Sequence, residues 1–127
     1  MNIIIAGAGE VGSHLAKMLS KEADMLTIID NDPARLNKLS EIADVITVQG
    51  QPTSIATLMQ AGAENADLFI AVSPAQPQDV NILSALLAKK LGSKKVTARV
   101  NNDEYMHHVN KLMFTELGID LLFYPEK

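Results

Sequence analysis

Gly7-Ala8-Gly9-Glu10-Val11-Gly12 is the stretch that decides the fold. It matches the G-x-G-x-x-G pattern, which alone is a weak signal and gains force from its surroundings. Before it runs Asn2-Ile3-Ile4-Ile5-Ala6, a short apolar strand. After it come Val11, Leu15, Met18 and Leu19 at helical spacing. Eighteen positions beyond Gly12, at the end of the next apolar run Met25–Asp30, stands an acid, Asp30. Strand, glycine turn, helix, strand and terminal acid form the dinucleotide-binding fingerprint of a Rossmann domain. Each glycine has its own task. Gly7 permits the tight turn, Gly9 lets the backbone approach a pyrophosphate, and Gly12 lets the helix lie close to the sheet. The N-terminus of that helix offers unpaired N–H groups and a partial positive charge to phosphate.

The alternation continues outward from this unit. Asp32 reads as an N-cap and Pro33 as the first residue of a helix carrying Leu36, Leu39 and Ile42. Val45–Val48 is a third strand, and Ile55, Leu58 and Met59 mark a short helix closed by Gly62. Leu68–Val72 is a fourth strand. A long helix with Val80, Leu83, Leu86, Leu87 and Leu91 follows, stopped by Gly92. Val96–Val100 is a fifth strand. A helix from about Asn102 to Gly118 then carries Tyr105, Met106, Val109, Leu112 and Met113, and Ile119–Tyr124 is a sixth strand. Six strands joined by helices predict a doubly wound parallel sheet of order 3-2-1-4-5-6, one α/β domain over residues 1–127. Pro125-Glu126-Lys127 reads as the start of a further helix, so a longer protein is expected.

Composition narrows the function classes. Of 127 residues, 47% are hydrophobic with no Trp and three Phe, so the core must rest on Val, Ile, Leu, Ala and Met. The net charge is −4, and no basic cluster exceeds the pairs Lys89-Lys90 and Lys94-Lys95, which argues against nucleic acid as a partner. With no cysteine, disulfides, thiol catalysis and Cys-ligated metals all fall away. Nothing approaches the roughly 20 apolar residues of a membrane span, and the first six residues are no signal peptide, so a cytoplasmic protein is expected. His107-His108 is expected in mid-helix, one solvated and one half-buried, rather than at a metal.

In this fold a ligand lies at the carboxyl ends of the strands. Asp30, with Asn31 after it, is expected to accept hydrogen bonds from adenosine ribose hydroxyls. A 2′-phosphate would be repelled there, favouring NAD or NADH over the phosphorylated forms. Arg35 is expected to point to solvent and Asp32 to cap its helix. Gly50-Gln51-Pro52 follows the third strand, with Gln51 on the adenine side. Ser73-Pro74 follows the fourth, with Ser73 near the second phosphate or ribose. For both, a plain turn is the other reading. A guanidinium in an apolar strand needs a partner, so Arg99 meets a phosphate, a carboxylate, a neighbouring subunit or a surface acid. Asp79 and Asn81 open their helix as caps or contact ligand.

With the glycine fingerprint, Ile29-Asp30-Asn31-Asp32, Val48-Gln49-Gly50, Asp79-x-Asn81, Ala98-Arg99 and Gly118-Ile119-Asp120 through Pro125-Glu126, the whole chain resembles the RCK/KTN family, in particular the N-terminal domain of TrkA-type subunits. The resemblance implies a ligand site lined by Gly7 to Val11, Asp30, Gln51-Pro52, Ser73-Pro74 and Arg99. It implies a non-enzymatic regulatory domain that assembles into dimers or rings, peripheral at the inner face of the plasma membrane. Such a domain gates a membrane potassium transporter subunit. Some ATP-responsive relatives carry Arg after the second glycine. Glu10 at that position disfavours a γ-phosphate, so ATP and ADP rank behind NAD and NADH. The rival reading is the cofactor domain of an NAD-dependent oxidoreductase, against which stands the lack of a positioned acid/base pair.

Overall fold

The computed structural model describes residues 1–125. Strands β1 (Asn2–Ala6), β2 (Met25–Asp30), β3 (Ile46–Gln49), β4 (Leu68–Ala71), β5 (Lys95–Arg99) and β6 (Leu121–Phe123) alternate with helices. The helices are α1 (Glu10–Leu19), α2 (Pro33–Ser40), α3 (Ile55–Gln60), α4 (Asp79–Leu91) and α5 (His108–Leu117). The six strands form one sheet of order β3-β2-β1-β4-β5-β6, and every neighbouring pair is parallel. This is the predicted order. The chain reverses direction across the sheet between β1 and β4, where Ala6 pairs with Ile29 on one side and Ala71 on the other.

Side-chain alternation along the buried strands divides the core in two. Ile4, Ala6, Phe69, Ala71, Val96 and Ala98 face one way, under Leu58 of α3 and Ala85 and Ala88 of α4. Ile3, Ile5, Ile28 and Ile70 face the other way, under Ala16 of α1 and Leu36 and Leu39 of α2. Small alanines let α4 sit close over β4 and β5, while the bulk comes from the β-branched residues of the strands. Asp32 accepts from the Ala34 N–H at 2.9 Å and so caps α2 as predicted, with Pro33 behind it. Ser54 does the same for α3, accepting from the Thr57 N–H at 3.2 Å.

The last helix departs from expectation. Asn102 accepts from the Glu104 N–H at 2.9 Å and caps a separate 3₁₀ turn, Asp103–Met106. The chain then becomes extended at His107 (φ −63°, ψ 138°) before α5 begins at His108. The Asn110 amide, donating to the Glu104 carbonyl at 2.8 Å, fastens the turn to the helix. The two histidines therefore flank a break, and both are exposed rather than one half-buried. Tyr105, Met106 and Phe114 rest against the core, but Val109, Leu112 and Met113 do not. That part of the apolar stripe faces outward. Met18 and Ile42, expected on inner faces, are exposed as well, Ile42 because α2 ends at Ser40.

Candidate functional site

The site grows from the turn between β1 and α1. Gly7 has φ +124°, a left-handed backbone that disfavours any side chain. A Cβ there would also lie 2.6 Å from the Ser73 backbone, because the turn crosses the end of β4. At Gly12 a Cβ would stand 1.8 Å from the Gly7 carbonyl oxygen. These two glycines are demanded by the fold itself. Gly9 differs, since its missing Cβ faces only the ring of Pro74, at 2.8 Å. Gly9 is also the N-cap of α1 and supplies no side-chain cap, so the first-turn N–H groups are left to water or a ligand.

Asp30 is the hub of this rim. It is 4% exposed, and its two carboxylate oxygens accept from the Ala8 and Asp32 N–H groups, each at 2.8 Å. Its backbone carbonyl accepts from the Gly50 N–H at 3.0 Å. One residue thereby ties the glycine turn to the loops that follow β2 and β3. A carboxylate has about four lone-pair directions, so it can grip the backbone and still accept from a ribose hydroxyl. Arg35 stays 46% exposed, near the solvent as expected, and also leans back over it. Its guanidinium stands 3.7 Å from Asp30 Oδ2 and 3.7 Å from Asp32 Oδ2. The reason is electrostatic: two carboxylates lie within reach of an arginine one helical turn into α2.

On the opposite wall, Asn81 acts as a brace rather than a cap. Its Oδ1 accepts from the Ser73 N–H at 2.7 Å and its amide donates to the Ser73 carbonyl at 3.0 Å. Ser73 itself is buried, and its Oγ accepts from the Ala75 N–H at 3.3 Å. Asp79 opens α4, but the N-cap position belongs to Gln78, without a side-chain cap bond.

These elements enclose a crevice of about 190 Å³ at the switch point. Of the predicted residues it gathers Gly7, Asp30, Asn31, Gln51, Pro52, Ser73 and Pro74, and it adds Ile29, Arg35, Ala75 and Val80. Ala8, Gly9 and Glu10 border instead an adjoining groove of about 560 Å³ between α1 and α2. Arg35 lines both spaces and forms the wall between them. Gly12 is buried, Val11 packs against the core, and Gly50 abuts Thr57. Arg99 sits at the end of β5, in register with Phe123, apart from both spaces. Sequence reasoning missed Arg35 and the brace by Asn81. An acid-x-acid pair followed three residues later by Arg was the available signal for the first. No group of three metal-binding side chains occurs among the described residues.

A parallel sheet with its glycine turn, terminal acid and crevice together at the switch point defines a Rossmann-like nucleotide-binding class of domain. Within that class the chain belongs to the TrkA-N domain family, whose model matches residues 3–125. It is 44% identical, over 99% of its length, to the Trk system potassium uptake protein TrkA homolog of Archaeoglobus fulgidus, and spans 28% of that protein. Among solved structures it resembles the TrkA-N domain of the inner membrane protein ybaL from Escherichia coli. That likeness has a TM-score of 0.79 and 21% identity, covering 98% of this chain and 87% of that one. It also resembles the GsuK channel bound to NAD, with a TM-score of 0.73 and 19% identity, covering 95% of this chain and 21% of that one. At these identities the structural likenesses speak for the fold.

Proposed function

We propose that this domain is the nucleotide-sensing module of a potassium uptake system, taking NAD or NADH in the switch-point crevice. ATP and ADP rank behind them. The observation that carries the reading is Asp30, which stands in the crevice while holding the glycine turn by the Ala8 N–H. A nucleotide whose ribose meets Asp30 and whose phosphates meet the α1 N-terminus acts on one mechanical unit. Ligand-dependent repositioning of that unit needs differential affinity between two arrangements and no chemistry, so the domain works as a regulator, not an enzyme.

The name of the Archaeoglobus fulgidus relative supports a potassium transporter subunit in the membrane as the partner, and the NAD-bound channel supports the ligand class. No helix among the described residues is long and apolar enough to cross a membrane. The relative, of which this chain spans 28%, supports a place peripheral to the cytoplasmic face of the plasma membrane beside that transporter. The outward apolar face of α5, with Val109 71% and Leu117 60% exposed, supports assembly with a second copy into a dimer or ring.

Calorimetry against NAD, NADH, ATP and ADP tests the reading. NADH is expected to bind the wild type. Gly9→Val, whose Cβ would press on the Pro74 ring at 2.8 Å and stand where the pyrophosphate meets the backbone, is expected to abolish binding in a protein that still unfolds cooperatively. Full binding by that folded variant sinks the pose.

A further inference from the structure

We infer that the amino end of the sheet, at β2 and β3, is the docking surface for a cytoplasmic loop of the transporter, a short basic segment with one apolar anchor. The inference rests on the reading of this domain as a transporter regulator and names the face that meets the transporter. Helix α3 is six residues long and covers only part of its side of the sheet. Its Leu58 is buried with Ile29 and Val48. Strand alternation turns Met25 and Thr27 to the same side as Ile29, and Ile46 to the same side as Val48. Nearer the amino ends, however, that side lies open. Met25 is 48% and Ile46 47% exposed, the latter in register with Thr27. Next to them, past the end of α3, is a hollow of about 170 Å³ lined by Ile4, Met25, Thr27, Ala61, Gly62 and Ala66, among others. A Cβ on Gly62 would meet nothing within 4 Å, so the hollow opens outward there. It suits a single aliphatic side chain, the kind of anchor on which small interfaces depend.

Charge selects the occupant. The segments 20–24, 41–45 and 61–67 lead into β2, β3 and β4, and they carry six acids, Glu22, Asp24, Glu41, Asp44, Glu64 and Asp67, against one base, Lys21. Two of the acids are paired, Asp24 with the Met1 ammonium and Asp67 with Lys94. The other four have no ion pair among the described residues. An apolar hollow inside an acidic border attracts and orients a cationic partner. The cytoplasmic loops of membrane proteins carry an excess of Lys and Arg. Anionic lipid headgroups would be repelled by the same border, so a protein segment fits and a membrane surface does not. The crevice that holds Asp30 lies at the opposite ends of the strands. Nucleotide and loop can therefore be bound together, as coupling between two sites requires.

The probe is a capped pentapeptide with leucine flanked by two lysines on each side, titrated without nucleotide and followed by backbone amide shifts. Controls replace its leucine by glycine or its lysines by glutamates. The leucine peptide is expected to shift the amides of Met25, Thr27, Ile46 and Gly62, more weakly as salt rises. The glycine peptide is expected to bind at least about fivefold more weakly, and the glutamate peptide not at all. Ile46→Lys, at a half-exposed edge position, is expected to unfold cooperatively in urea and to lose at least about fivefold in peptide affinity. Asp44→Lys/Glu64→Lys, at exposed sites, is expected to lose a similar factor while binding NADH as the wild type does. The inference is overturned if the peptide shifts none of these amides, if leucine and glycine peptides bind alike, or if neither folded variant weakens binding. It is also overturned if anionic vesicles shift these amides and the peptide does not, or if only self-association of the domain does so. Failure of NADH to bind the wild type would count against the nucleotide reading, and the peptide arms would still decide this face.

Discussion

The two ends of the sheet use one device for opposite purposes. At the amino ends of the strands, Asp67 accepts from the Asn2 N–H at 2.7 Å and Asp120 from the Val96 N–H at 2.8 Å. Each also has a lysine in close contact, Lys94 at 3.2 Å and Lys89 at 3.1 Å. At the carboxyl ends, Asp30 grips two backbone N–H groups, but its cation stands off at 3.7 Å and the carboxylate fronts a crevice. The closed end fastens strands to one another. The open end fastens three loops and keeps acceptor capacity for something else. A carboxylate that carries structure and faces a cavity couples whatever enters the cavity to the loops it holds.

The largest expected effect breaks the contrast directly. Asp30→Ala removes one buried and one part-buried charge-assisted hydrogen bond and is expected to lower unfolding stability by about 3 kcal/mol. It is also expected to weaken NADH at least about tenfold. Asp120→Ala should cost less stability and leave NADH affinity untouched, because the Lys89 pair is partly solvated and distant from the crevice. Urea unfolding and calorimetry on both variants check this. Equal losses of NADH affinity at the two ends would remove the distinction.

Acid sharpens the comparison from the closed end. The Asn2 N–H, then Lys94, hold the Asp67 carboxyl below the usual aspartate value. For Asp120 burial pushes upward, but the Val96 N–H and Lys89 outweigh it and the value is again lowered. Lowered folded values mean that the unfolded chain takes up protons first as the pH drops. The stability these groups contribute is complete above the ordinary aspartate value of about 3.9 and is lost as pH falls through the lowered values. An Asp67→Asn/Asp120→Asn variant is therefore expected to show a flatter loss of stability below about pH 4 than the wild type. Profiles of equal steepness would place the acid sensitivity elsewhere.

Most of the sheet was legible because its signals are local and periodic. Ile3 and Ile5 against Ile4 and Ala6 announce a strand buried on both faces, and Asp32-Pro33 announces a helix start. The glycine turn was legible because three positions each need a missing Cβ for a nearby geometric reason. What escaped depends on pairs brought together by folding. Half-exposed Arg35 pairs with Asp30 and Asp32, which folding brings together beside it, and Asn81 braces Ser73 across the loop between β4 and α4. The break at His107 escaped because an amphipathic period runs straight through it, while the Asn102 cap satisfies a shorter turn first. Arg99 needs a partner by its chemistry and lines the ligand site only by resemblance, and its strand β5 lies two places across the sheet from β1.

The smallest expected effect concerns which nucleotide the open end prefers. Glu10 is the first residue of α1, exposed, on the border of the groove between α1 and α2. If nucleotide phosphates meet the α1 N-terminus as proposed, a side chain there would reach the outer phosphate of a triphosphate. Two like charges about 5 Å apart repel by roughly 3 kcal/mol at an effective dielectric near 20. Exposure to salt and water reduces this to about 1 kcal/mol. Glu10→Arg replaces repulsion by a forked phosphate contact, so the ATP-to-NADH affinity ratio is expected to rise about fivefold or more. The competing account is that Glu10 faces water and only complements the helix dipole. The same substitution would then weaken α1 by about 0.5 kcal/mol and leave the ratio where it was. Titrating wild type and variant with both nucleotides at one ionic strength separates the two accounts. A ratio that stays put while stability falls assigns Glu10 to the helix, and a ratio that moves assigns it to the choice of ligand.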